Sequence, residues 1–452
     1  MMEKGNNKNN NYDGSYYSLD RFIDYENAEQ KDARYRIMTE REVPITGPPG
    51  TGKSTVISHC CFDLSNEYSP VLVTAPTNVM VNSTLAKIDL LLRRFNITLP
   101  HGSIIRYGNT ADLERSHPNL LKYSLDSIVV NGNGGSLDNN TSLNKIEMGR
   151  RYFRNAKIIL CTDYSAKDLV KIVNAGAVVV DEAGLVAIDR MAMLFSSLRH
   201  SDGKILVIGD DKQLPPVSND FVGDSLFRSI LQQHRTTLLK TEYRFNEDIL
   251  NLINPHYDYK LKAASSVKGI STSDIAKKDY NGINNNLTKI LSHEKKIVFV
   301  DTNDRNREEK TYINTGEISI VTEIIDGFIS MGIDDIIVTT PYKQQERLFQ
   351  LSLIGKADYY YYNNSKLRIG TIDEFQGQES EVTIVSMVRS NSNPDYQKAV
   401  GFVNIPRSCV AFSRSKRKTI IVGDQRTLSK SKFLARSIDT VVRKDGFFIW
   451  RN

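Results

Sequence analysis

Residues 45–55 read Ile-Thr-Gly-Pro-Pro-Gly-Thr-Gly-Lys-Ser-Thr, and few stretches so short restrict a fold as much. The glycines let the backbone turn until successive N–H groups face one anion. A short apolar run, Val43 to Ile45, leads into the loop and a helix-like stretch leaves it. The positive end of that helix adds to the anion site. Gly47, Pro48, Pro49, Gly50, Thr51 and Gly52 would cradle phosphates, and Lys53 would neutralise the outer two. Ser54 would offer its hydroxyl to Mg2+, with Thr55 completing the motif. The ligand implied is a nucleoside triphosphate. The loop alone does not say what hydrolysis is for, because kinases, switches, unfoldases and strand-separating motors share it.

The surrounding pattern is α/β. Short β-branched runs at Val71–Thr74, Lys157–Cys161, Ala177–Val180 and Lys204–Ile208 alternate with helix-like stretches. A second set occupies Ile297–Val300, Asp335–Thr339, Leu367–Gly370, Val382–Ser386 and Thr419–Val422. Near-continuous apolar strands separated by helices predict parallel sheets covered on both faces. Two sets, in 452 residues, predict two α/β domains, residues 20–225 and 226–452. An insertion is expected at about 87–156, with a surface loop from Val129 to Asn144, and the Asn-rich residues 1–19 are expected to be disordered. No apolar run approaches the roughly 20 residues of a spanning helix, and the N-terminus lacks a secretory apolar segment, so a cytoplasmic or nuclear location is expected. The four cysteines are too scattered for a zinc module and read as buried thiols. A net charge of +6 fits a polyanionic partner without requiring one.

Other residues suit hydrolysis. In "AVVVDEAG", Asp181 and Glu182 end a buried strand, the first placed to hold Mg2+ and the second to take a proton from attacking water. An acidic pair there can also be a plain helix start. "VIGDDKQLPPVS" puts Gln213 where an amide could sense the γ-phosphate, with Pro215 and Pro216 stiffening the chain beyond it. Tyr243 and Arg244 in "TEYRFNEDI", and Arg414 in "CVAFSRSKRKTIIVGD", offer base stacking and two arginine fingers. "RSKRK" reads equally as an import patch or a solvated face.

Taken together, "GPPGTGKS", "VLVTAPTN", "DEAG", "GDDKQLPP", "EYRF", "TPYKQQ", "GTIDEFQGQESEVTIVSMVRSN" and "VAFSRSK" resemble, in order and spacing, the superfamily 1 helicases, nearest the class B, up-frameshift/senataxin-like branch. The resemblance runs from about Asn27 to Asp424. It implies two RecA-like domains with ATP between them, and 5′ to 3′ movement on single-stranded RNA or DNA. It gives Gln30 the adenine-reading role, Tyr243 base stacking, Arg244 and Arg414 the fingers and Gln213 the γ-phosphate sensor. Gly377 and Glu379 match a loop that meets the nucleotide on closure. For the nucleic-acid strand it implies Thr74, Pro76, Thr77, Asn78 and Thr162, then Thr340, Pro341, Tyr342 and Thr371. Short hydroxyl and amide side chains at strand ends suit phosphate and sugar contacts, and equally suit local loop capping.

Two departures stand out. Cys409 occupies a position where asparagine is usual, and Phe412-Ser413 one where Leu-Thr is. Only about thirty mostly polar residues precede Gln30, too few for the small barrel that relatives carry there. The expectation is therefore a monomeric helicase or translocase. The alternatives are a non-unwinding ATP-regulated clamp, or a P-loop enzyme acting on a small substrate.

Overall fold

The computed structural model describes residues 26–133, 142–199, 202–213, 226–282, 284–303, 308–309, 312–354 and 366–450. The expected disordered start, the middle of the Val129–Asn144 loop, Pro215 and Pro216 lie outside them. That loop is shorter than expected, because helices occupy Leu125–Asn133 and Ser142–Asn155.

Two compact units emerge. The first is built on β1 (Glu42–Thr46), β2 (Val71–Ala75), β3 (Ile104–Arg106), β4 (Ile158–Thr162), β5 (Ala177–Val180), β6 (Lys204–Gly209) and β7 (Thr237–Leu238). They form one sheet in the order β3-β4-β2-β5-β6-β1-β7, every pairing parallel. β2, β4, β5 and β6 are buried along their whole length. That is the lot of a central strand covered on both faces, and it explains why β-branched runs marked them.

Two boundaries move. β7 pairs with β1, so residues 226–238 belong to the first unit and the division falls at 238/239 rather than 225/226. β3 pairs with β4 and extends the central sheet, so the expected 87–156 insertion is not a separate subdomain. Neither strand was legible, since two or three residues earn their place only through a partner.

Three helices carry or support residues of the phosphate site: α1 (Ala28–Thr39), α2 (Lys53–Glu67) and α3 (Asn78–Arg94). α1 opens with a capping box in which Asn27 and Gln30 exchange side-chain and backbone bonds. Arg34 on α1 then locks it to α2, pairing with Asp63 at 2.7 Å and Glu26 at 2.9 Å, all three nearly solvent-free. His59 of α2 also meets Glu26. Removing one member would strand a buried charge, at a cost of about 3–5 kcal/mol.

The second unit holds β10 (Ile297–Asp301), β11 (Ile336–Thr340), β12 (Arg368–Thr371), β13 (Ser380–Ser386), β14 (Ser415–Gly423) and β15 (Phe447–Ile449), in the order β12-β11-β13-β14-β10-β15, again all parallel. A parallel pair, β8 (Thr241–Glu242) with β9 (Lys262–Ala263), sits in this unit too. Alternation is clean. Ile297 and Phe299 enter one core with Val385, Met387 and Ile421. Val298 and Val300 enter the other with Val338, Ile384 and Val422. Helices therefore cover both faces, as the period-two pattern of β10 requires. All four cysteines are buried and free. No helix among the described residues is long and apolar enough to cross a membrane.

One buried carboxylate governs how the second sheet ends. Glu317, fully buried, accepts the Val388 N–H on both oxygens (3.1 and 3.0 Å), and the Ser386 hydroxyl lies 2.6 Å away. Val388 has φ +69°, a strained value for a β-branched residue. Burial raises the Glu317 carboxyl from 4.5 to about 8, against the pull of those donors. A raised folded-state pKa gives stability that is complete below about pH 4.5 and lost as pH rises through about 8. Lys418, which burial pushes down to about 7, acts in the opposite sense. Glu317→Gln mimics the protonated acid, so its thermal midpoint should fall less than the parent's between pH 5 and 8. Parallel melting curves would count against this.

Candidate functional site

Parallel strands deliver all their C-terminal ends to one edge, where loop side chains gather. In the first unit, β1 runs into the phosphate loop and α2 begins at Lys53. Gly50 and Gly52 hold φ +81° and +87°, values a side chain resists. The Thr51 hydroxyl donates to the Pro48 carbonyl at 2.8 Å, fixing the turn.

β5 ends at the acidic pair. Lys53 Nζ lies 3.6 Å from Glu182 Oε1. Glu182 takes a left-handed φ of +47°, and its N–H donates to Asp181 Oδ1 at 2.8 Å. Asp181 is buried, and burial with the adjacent Glu182 charge raises its carboxyl to about 7 despite Lys53. A desolvated carboxylate within the field of Lys53, the residue before Ser54, suits a hard divalent cation. Mg2+ typically takes one or two protein oxygens and keeps water or phosphate for the rest. The donor set fits.

The expected strand contacts of this unit fare unevenly. Thr74 is fully buried inside β2, its Oγ1 making no hydrogen bond, so it presents nothing to a polymer. The Thr77 hydroxyl caps α3 by accepting from the Met80 N–H at 3.3 Å. Asn78 Oδ1 accepts from buried Arg106 at 2.7 Å. The Thr162 hydroxyl bonds Ser165 at 2.9 Å. Pro76 is half-buried. Local capping thus accounts for the observed bonds of Thr77 and Thr162. Gln30, expected to read adenine, is buried, with Oε1 accepting the Asn27 N–H at 3.1 Å.

The second unit includes, by packing, Gly47–Gly52 and the loop that leaves β6 at Asp210. The Tyr243 N–H donates to the Gly50 carbonyl at 2.8 Å, and its ring is exposed. Glu242, which sequence reasoning passed over, is fully buried beside this turn. It accepts the N–H groups of Arg244 and Phe245 at 2.7 and 2.9 Å. Burial raises its carboxyl to about 8. No local pattern flags it; its significance comes from where β8 lies.

Arg244 Nε sits 2.9 Å from Glu379 Oε2, out of line for a hydrogen bond, and its buried Nη1 bonds nothing. Glu379 also pairs with Lys416 at 2.9 Å. Burial pushes the Glu379 carboxyl up, but the two cations outweigh it and hold it below the usual range. Glu379 therefore faces a guanidinium rather than standing open for nucleotide. Gly377, in the same loop, is exposed with φ +81°. Arg414 is almost fully buried and donates to the carbonyls of Val410 (2.8 Å), Gln378 (3.2 Å) and Phe375 (3.3 Å). Gln213 is buried, with Gln376 donating to its Oε1 at 3.5 Å. Near it Tyr257 donates to Asp210 at 2.6 Å.

Thr340 repeats the pattern of Thr74: fully buried in β11, its hydroxyl unbonded. Pro341 and Thr371 are half-buried. Tyr342 is 6% exposed, stacked under Tyr312 and edge-on to Phe402.

Two family models match the chain. AAA_19, an AAA domain, covers residues 30–219, and AAA_12, also an AAA domain, covers residues 222–426. The DNA replication ATP-dependent helicase/nuclease DNA2 of Saccharomyces cerevisiae is 29% identical over 430 residues, spanning 89% of this chain and 26% of that protein. The DNA-binding protein SMUBP-2 of Rattus norvegicus is 25% identical over 463 residues, 91% of this chain and 44% of its own length. The chain thus spans less than half of these curated relatives. Among solved structures, an arterivirus nonstructural protein 10 (helicase) in complex with DNA aligns at a TM-score of 0.45 and 15% identity, covering 89% of this chain and 65% of that one. With the phosphate loop, the acidic pair and two all-parallel sheets in place, and the paired domain models matching in sequence, the chain belongs to the superfamily 1 ATP-dependent helicases.

Proposed function

We propose that this protein is an ATP-driven helicase or translocase that moves 5′ to 3′ on single-stranded RNA or DNA, as a monomer in the cytoplasm or nucleus. The observation that carries the reading is a pair of ion pairs at phosphate-binding cations: Lys53 with Glu182, and Arg244 with Glu379. Each cation is neutralised by a carboxylate that an incoming phosphate can replace. When ATP enters, Lys53 exchanges Glu182 for the β- and γ-phosphates, which frees the Glu182 carboxylate to accept a proton from water. Ser54 and Asp181 would hold Mg2+, which would supply positive charge to offset that of the phosphates. Arg244 leaves Glu379 for the γ-phosphate, Gln213 senses that phosphate, Tyr243 stacks on the base, and Gln30 reads adenine. Arg414 supports the loop bearing Gly377 and Glu379 through the Phe375 and Gln378 carbonyls. Contacts made only with nucleotide present would shift the conformational equilibrium toward the nucleotide-bound state, and hydrolysis would release them.

The test is steady-state ATP hydrolysis with poly(U), with oligo(dT) of equal length, and with neither. Several-fold stimulation by at least one polymer is expected, and the ratio of the two reports whether 2′-hydroxyls matter. Faster displacement of streptavidin from a 3′ than a 5′ end would support the polarity. No stimulation by either polymer would end the motor reading.

A further inference from the structure

The residues expected to touch the strand in the second unit leave a puzzle, since Thr340 and Tyr342 are both buried. The rings over Tyr342 are exposed. Tyr312 stacks on it with centroids 4.9 Å apart and planes 7° from parallel, and is itself 46% exposed. Phe402 meets its edge at 6.0 Å and 72°, and is 59% exposed. Two aromatic rings standing in water on a third, buried one are costly unless something apolar covers them.

The base beneath them is rigid. Arg389 donates from Nη1 to the Tyr342 hydroxyl (3.2 Å), from Nε to Glu308 (2.6 Å) and from Nη2 to the Lys398 carbonyl (2.6 Å). Its guanidinium carbon lies 5.1 Å from the Tyr312 centroid. Arg389 directly succeeds strained Val388, which Glu317 holds in place. Arg407 sets its guanidinium 5.6 Å from the Phe402 ring while pairing with Asp373 at 3.1 Å. Flat apolar rings, half wet and each set against a guanidinium that an acidic partner fixes in place, have the chemistry of a surface that stacks unpaired bases. A partner protein's apolar side chain would find little reason for the arginine at each ring.

We propose that Tyr312 and Phe402 form a base-stacking platform, each receiving one nucleobase of a single strand. The proposal rests on the protein's acting on single-stranded nucleic acid and names where bases, rather than phosphates, are held. Stacking needs no hydrogen-bond readout, so the platform accepts any base and adds grip without sequence preference.

The experiment measures dissociation constants by fluorescence anisotropy for two strands of equal length. One is oligo(dT); the other has the same backbone with its bases removed. The proteins are the full chain and its Tyr312→Ala, Phe402→Ala, Tyr312→Phe and Phe402→Trp variants. Each alanine variant should bind oligo(dT) roughly five- to a hundred-fold more weakly and the baseless strand as the parent does. The aromatic replacements should restore binding, which also guards against misfolding because they preserve the packing on Tyr342. Equal losses on both strands, or no loss on oligo(dT), would overturn the platform. Failure of the parent to bind either strand at low salt would instead bring down the nucleic-acid reading on which the platform rests.

Discussion

Glu182→Gln is expected to lower ATP turnover by roughly three orders of magnitude while leaving nucleotide binding intact, because a positioned general base contributes about 10²–10⁴-fold. The side chain keeps its shape but loses the proton acceptor. It also loses its charge opposite Lys53, 3.6 Å away in the parent, so Lys53 no longer has to give up a carboxylate before meeting phosphate. ATP should bind at least as tightly and then persist. Filter binding of ATP beside phosphate release makes the comparison. A variant that hydrolyses at the parent rate would remove Glu182 from the chemistry, and one that fails to bind would recast it as a structural support.

Arg244→Ala should be comparably severe, since an arginine finger is worth about 10³–10⁵ in turnover. Arg244 already carries a buried Nη1 with no hydrogen bond and an off-line carboxylate neighbour. Such a donor is poised for an anion with better geometry. Arg414→Ala provides the contrast. Its guanidinium ties Val410, Phe375 and Gln378 together through their carbonyls, so its loss should lower the melting temperature as well as turnover. Arg244→Ala should lower turnover with little thermal change. If both variants melt early, or if Arg244→Ala hydrolyses normally, the assignment of Arg244 as the finger fails.

The chain announced its sheets because a strand buried on both faces must be apolar throughout: Ala177–Val180 and Ile297–Asp301 are written almost wholly in β-branched and aromatic residues. β7, only Thr237–Leu238, left no such trace, being completed by the neighbour it pairs with. The phosphate loop and acidic pair were readable because their chemistry is contiguous. Thr74 and Thr340 misled for a related reason. A hydroxyl at a strand end serves a polymer if the end protrudes, and here the sheets cover it. Glu242 and the Arg244–Glu379 pair were invisible because their meaning depends on residues far along the chain, and no spacing rule encodes that.

Gly50 has one more implication. Its carbonyl holds the Tyr243 N–H, and a Cβ placed on it would fall 1.7 Å from Glu242 Oε1. The turn proposed to hold phosphate and the segment that bears the Arg244 guanidinium are therefore cut to each other's shape. A shift of one would carry the other with it, so Gly50→Ala should disturb ATP turnover more than ATP binding, which phosphate release beside filter binding would show.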